Sequence, residues 1–160
     1  MPSVVSGRSP GDSPQFQNTC FGCGAANTNG LQLKFRIEAN GTTTASLVPD
    51  ARWEGLRGTL HGGIVATLLD EAMAKAVAAK GHQMMTVELR VRLHAPARTG
   101  DQLQVTGWVV SDRSRLVEAE ASLRSADGRE CAHGWGKFLQ WTKPGHENTG
   151  PRNGGSDKTL

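Results

Sequence analysis

The 160-residue sequence contains no tyrosine, and aromatic residues make up only 5% of it. A mechanism that needs a tyrosyl acid or base is therefore excluded for this chain alone. Cysteine is scarce: Cys20, Cys23 and Cys131 cannot all pair within one chain, and their spacing resembles no secretory framework. No apolar run reaches the ~18 residues that a membrane span needs, and the opening MPSVVSGRSPGDSP lacks the continuous apolar stretch of a secretion signal. Basic blocks are missing too. Lysines and arginines are scattered singly and leave a formal charge of +3, which favours a small anionic ligand over nucleic acid, where clustered basic side chains are expected. The expected setting is a cytoplasmic, soluble protein with neither a membrane nor a nucleic-acid partner.

Glycine is the excess, at 20 residues. The length predicts one domain with room for a packed core. Residues 1–18 are rich in Ser, Pro and Gly, and residues 143–160 hold almost no apolar side chains; both are expected to be disordered tails. One folded domain over 19–142 remains.

Within it, LQLKFRI (31–37) alternates, which predicts a strand presenting Leu31, Leu33, Phe35 and Ile37 on one face. The turn Glu38-Ala39-Asn40-Gly41 leads to a hairpin partner over Thr42–Val48. From Gly62 the period changes. GGIVATLLDEAMAKAVAAK predicts a helix that stops at Lys80-Gly81, apolar around most of its circumference and so nearly surrounded by other elements. Four strands follow: Thr86–Leu93 with Val87, Leu89, Val91 and Leu93 on one face, Gln102–Val110, Leu116–Arg124, and Glu130–Trp141. Short turns make them antiparallel. The expected fold class is α+β, an antiparallel sheet curled around one long central helix.

The chemistry concentrates in His61-Gly62-Gly63 and, inside the helix, Asp70-Glu71. A glycine pair leaves the unpaired N–H groups of a helix start bare, with the positive end of the dipole behind them. A carbonyl oxygen gaining negative charge suits that position. Asp70 stands among Leu68, Leu69, Ala72, Met73 and Ala74, where a carboxylate is costly unless it is paired or has a task. The bland alternative is an ion pair with Arg90 or Arg92. Eight residues separate Gly62 from Asp70, about 12 Å of helix. If both act on one substrate, the site combines two subunits whose central helices run antiparallel across a two-fold axis.

HGGIVATLLDEA resembles the signature of the hotdog-fold acyl-CoA thioesterases, in the branch containing the phenylacetate-pathway enzymes, where an acidic residue follows the His by nine positions. CFGCGAANTNGLQLKF and TVELRVRLHAPARTGD resemble the opening and the post-helix strand of that family. The resemblance implies hydrolysis of an acyl-CoA thioester to free acid and thiol, by a homodimer or a dimer-of-dimers tetramer, without a cofactor. It implies that the Gly62 N–H polarises the thioester carbonyl and that Asp70 acts either as nucleophile, through an anhydride, or as base for water. His61 orients the turn and reaches the substrate. Gly63, Thr67 and Ala74 are the expected substrate-binding positions. Ala74 stands where some relatives have a threonine, and Thr67, one turn before Asp70, is placed to bond the carboxylate or the water instead. Gly55 occupies a position where relatives carry an amide side chain.

Two other functions fit the same sequence: a non-catalytic acyl-CoA or aromatic-ligand binding protein, and a hotdog enoyl-CoA hydratase. The second needs a helix histidine, and none lies between Gly62 and Gly81. Cys20-x-x-Cys23 is half of a zinc site that Cys131 and His133 could complete. Without a second CxxC, the expected reading is a glycine-rich turn and no metal. Glu71, about 100° round the helix from Asp70, reads as a structural ion-pair residue.

Overall fold

The computed structural model describes residues 18–140. The tails assigned to 1–18 and 143–160 therefore lie outside the described residues except for Asn18, as does Trp141 at the end of the last strand. The elements run β1 (Arg36–Ile37), β2 (Thr43–Leu47), a short 3₁₀ turn (Ala51–Trp53), α1 (Gly62–Ala79), β3 (Met84–Leu93), β4 (Leu103–Arg113), β5 (Leu116–Ser125) and β6 (Glu130–Gln140). The strands form one antiparallel sheet in the order β1-β2-β4-β5-β6-β3, with α1 packed on one face. This is the expected hotdog architecture, a helix cradled in a curled sheet.

Local sequence explains the helix. Ala, Leu and Met favour it, His61 caps its start, and Gly81 ends it at φ +87°, a left-handed conformation that an L side chain rarely adopts. One stripe of α1, Leu68, Leu69, Met73 and Val77, is buried against Val105, Val117, Ala121, Leu123 and Phe138 of the sheet. Each such fully buried Leu contributes about 2 kcal/mol. The helix lies close because the strands beneath it carry glycine. A methyl at Gly107 would run into the Ala72 carbonyl, and one at Gly136 would sit 2.9 Å from the Phe138 ring and 3.1 Å from the Met73 sulfur. Buried Thr43 also ties β2 to α1 by donating its hydroxyl to the Ala72 carbonyl at 2.8 Å.

Several local expectations change. Only Arg36–Ile37 of the 31–37 segment is strand. Leu31 and Leu33 are buried as expected, but Ile37 is 56% exposed. The N–H groups of Leu31 and Leu33 donate to Phe21 and Gly22 of the cysteine loop at 2.8 and 2.9 Å, so this backbone is committed to the loop and cannot ladder with β2. Strand β4 runs through Ser111-Asp112 to Arg113 by means of a bulge between Val109 and Ser111. The turn falls instead at Ser114, with φ +56°.

The largest departure concerns coverage. In β3, an edge strand that meets α1 along one side, Val87, Leu89 and Leu93 remain exposed within this chain. The helix is not surrounded either. The side bearing Gly63, Ala66, Thr67, Asp70 and Ala74 remains half-buried or exposed within this chain.

Candidate active site

The helix start is built from His61 outward. Its N–H donates to the Trp53 carbonyl at 2.9 Å, and its own carbonyl accepts from Ile64 and Val65 at 2.9 and 3.1 Å. Its Nδ1 accepts from the Gly63 N–H at 2.9 Å, so the proton of the neutral ring sits on Nε2. Gly63 makes that cap possible, since a Cβ there would stand 3.1 Å from Nδ1. Gly55 packs against the other side of the histidine, its missing Cβ 3.2 Å from His61 Cα and Cδ2. These bonds occupy the donors of Gly63, Ile64 and Val65. The Gly62 N–H has no partner among the described residues. A methyl at Gly62 would meet only Leu93 Cδ1, at 3.5 Å. The sequence places a bare donor at the positive end of α1, and the capping pattern leaves Gly62 as that donor.

Two turns on, Asp70 is half-buried. Burial pushes its carboxyl above the ordinary value; the Thr86 hydroxyl, donating to Oδ1 at 2.8 Å, pulls it down, and the neighbouring Glu71 charge pushes it up. The alternative ion pair is not formed. Arg90 instead lies over the Trp135 ring at 4.5 Å, and no arginine bonds Asp70 among the described residues. Nor does Thr67 serve Asp70: its hydroxyl donates to the Gly63 carbonyl one turn back, at 2.9 Å, as helical threonines commonly do.

Thr86 therefore holds the place expected of Thr67. The sequence carried a geometric signal for it. From Asp70 to the helix end is about 14 Å, and a strand returning antiparallel from residue 83 covers that in about four residues. The same return sets Leu93 beside Gly62, so the bare donor and the carboxylate lie along one seam between α1 and β3.

Two hollows lie near the two ends of α1. One, about 300 Å³ and mostly apolar, lies at the Gly62 end and is lined by Thr59, Leu60, Val65, Leu93, Pro96 and Cys131 among others. The other, about 630 Å³, lies toward the helix C-terminus and is lined by Ala74, Val77, His82, Gln83, Met84 and Met85 among others. A bare donor, a raised carboxylate and apolar hollows suit attack on a carbonyl attached to an apolar group.

The remaining candidates separate in space. Cys131 is buried, and His133 lies between Glu120 and Glu130 at 3.1 and 3.4 Å, beside Trp108 and Trp135. Neither joins Cys20 and Cys23. Glu71 does: Cys20 Sγ donates to its Oε2 at 3.6 Å, and Lys75 pairs with its Oε1 at 3.6 Å. Burial and then the Glu71 carboxylate push the Cys23 thiol up to about 11, so the free thiol is not a nucleophile at neutral pH.

Comparison with known proteins gives a consistent picture. The family profile described as the thioesterase superfamily matches residues 57–132, which include His61, Gly62, Asp70 and Thr86. Mouse acyl-coenzyme A thioesterase 13 is 29% identical over 85 residues, 48% of this chain and 61% of that protein. The chain spans about half to three-fifths of the length of the curated relatives it matches. A solved thioesterase superfamily protein is 28% identical, with a TM-score of 0.67 over 69% of this chain and 57% of its own. The Escherichia coli PaaI protein of the phenylacetic acid degradation operon shares the fold at 19% identity, with a TM-score of 0.66 over 70% of this chain and 81% of its own. Among the described residues no helix is long and apolar enough to cross a membrane.

Proposed function

We start from the chain's membership of the hotdog-fold thioesterase superfamily and propose that it hydrolyses an acyl-CoA thioester, using a site shared between two copies. The observation that carries this reading is Asp70, a carboxylate held half-buried on an apolar helix with, among the described residues, only the Thr86 hydroxyl to orient it. A group whose ionised form is this poorly solvated has a functional rather than a stabilising rationale. The name of the mouse relative supports acyl-CoA as the substrate class.

In this reading the Gly62 N–H of one copy donates to the thioester carbonyl oxygen, and the Asp70 carboxylate of the other takes a proton from water. The water oxygen bonds to the carbonyl carbon, and the oxyanion rests on the N–H and the helix dipole. Collapse breaks the carbon–sulfur bond, and the departing thiolate takes up the proton that Asp70 had removed from water, which restores the carboxylate. His61 sets the turn, Gly63 leaves room for its ring, and Ala74 walls the hollow that takes part of the acyl group.

The sharing of the site follows from distance: Gly62 and Asp70 are about 12 Å apart along one helix. It is supported by the uncovered side of α1 and the exposed apolar residues of β3, surfaces that a second copy would bury. Thiol release from a panel of acyl-CoA substrates, with wild type and Asp70→Asn, tests the activity. Loss of release in the variant supports hydrolysis through Asp70, whereas binding without release by the wild type supports a ligand carrier.

A further inference from the structure

We propose that Cys20, Cys23 and Glu71 bind a zinc ion that fastens the loop preceding β1 to α1. The three ligand atoms, two sulfurs and one carboxylate oxygen, lie within 4.8 Å of one another. Tetrahedral zinc holds sulfur at about 2.3 Å and carboxylate oxygen at about 2.1 Å, which puts them about 3.6 Å apart along a tetrahedron edge. Cys20 Sγ and Glu71 Oε2 are 3.6 Å apart. Thiolates and a carboxylate in this arrangement select zinc over magnesium or calcium.

The loop is shaped around that point. The Gly24 N–H donates to the Cys20 carbonyl at 2.8 Å and closes the Cys-Phe-Gly-Cys-Gly turn. A Cβ at Gly24 would stand 2.5 Å from Cys20 N, so only glycine fits. A Cβ at Gly22 would stand 2.6 Å from Glu71 Oε2, so this glycine keeps the space between loop and carboxylate clear. Lys75 holds the other oxygen of Glu71 and leaves Oε2 facing Cys20 Sγ, as an outer partner of a metal-bound carboxylate does.

The charges balance as well. Two thiolates and a carboxylate around Zn²⁺ leave a single negative charge, and the Lys75 ammonium offsets it. On binding, each thiol gives its proton to solvent as its sulfur–zinc bond forms, with no change of oxidation state. Three protein ligands leave the fourth position to water. Glu71 follows Asp70 but projects about 100° round the helix, so the ion lies off the α1–β3 seam and its task is structural. The anchored segment lacks regular structure from residue 18 to 35, yet it sends Leu31 and Leu33 into the core.

The test is metal analysis of the purified full chain after reduction, zinc loading and dialysis. The expected result is a single zinc ion per chain, lost in the Cys20→Ser/Cys23→Ser variant and bound about ten- to hundredfold more weakly by Lys75→Met. Cobalt replacement in the wild type gives a readout that does not depend on any variant folding. A thiolate-to-cobalt charge-transfer band with tetrahedral ligand-field bands is expected. Wild type that takes up no stoichiometric zinc, cobalt bound without that band, zinc retained by a folded double-serine variant, or a Cys20–Cys23 disulfide that binds no zinc once reduced would each overturn the proposal.

Discussion

Asp70 is a residue whose stability contribution and chemical value have opposite signs. Its carboxyl lies above the ordinary value, so the folded chain binds that proton more tightly than the unfolded chain does. Stability from this group is then present below the ordinary carboxylate pKa and is lost as pH rises toward the raised one. Asp70→Asn should flatten that slope and raise the melting temperature at neutral pH, while thiol release falls at least about a hundredfold. Paired thermal denaturation and turnover assays over pH check both halves, and a variant that loses stability at neutral pH contradicts the argument. Thr86→Val removes the hydroxyl that favours the ionised carboxylate. The acid limb of the pH–rate profile should shift to higher pH and turnover at neutral pH should drop; an unmoved profile reduces Thr86 to packing. Asp70 and Gly62 were legible in the sequence because a carboxylate in an apolar helix and a glycine pair at its start are both locally anomalous. Thr86 is not locally anomalous; only the length of the helix and the antiparallel return of β3 point to it, through a contact 16 residues away.

At the scale of elements, periodicity sufficed where an element is covered on one face. Val117, Ala119, Ala121 and Leu123 of β5 alternate, and all are buried. Periodicity failed where hydrogen bonding decides the outcome, as in 31–37, whose alternation persists while its donors are taken by the cysteine loop. It also described β3 only in part, because an apolar face indicates something to be buried without saying whether this chain buries it. The approach of α1 to the sheet depends on glycine in β4. Gly107→Ala should destabilise by about 1–3 kcal/mol through the forced retreat of the Ala72 carbonyl. Denaturant unfolding measures this, and a change within a few tenths of a kcal/mol would mean that the helix has room to shift.

For the whole molecule, one chain leaves a donor, a carboxylate and two apolar surfaces unfinished, and in the proposed assembly a two-fold related copy would complete all of them in a single step. The central claim is that each site takes Gly62 from one copy and Asp70 from the other. Gly62→Pro disables the donor with little other damage. Proline is favoured at the first helical position, His61 already has ψ 134°, which suits the residue before a proline, and a Cβ at position 62 meets only Leu93 Cδ1, at 3.5 Å. The decisive measurement mixes inactive Gly62→Pro with inactive Asp70→Asn in equal amounts under conditions that exchange subunits. Half of the resulting dimers are then mixed, each with one intact site, and thiol release should recover to about a quarter of the wild-type rate. Mixtures that are no more active than their parents, once exchange is verified, would contradict a site shared between two copies.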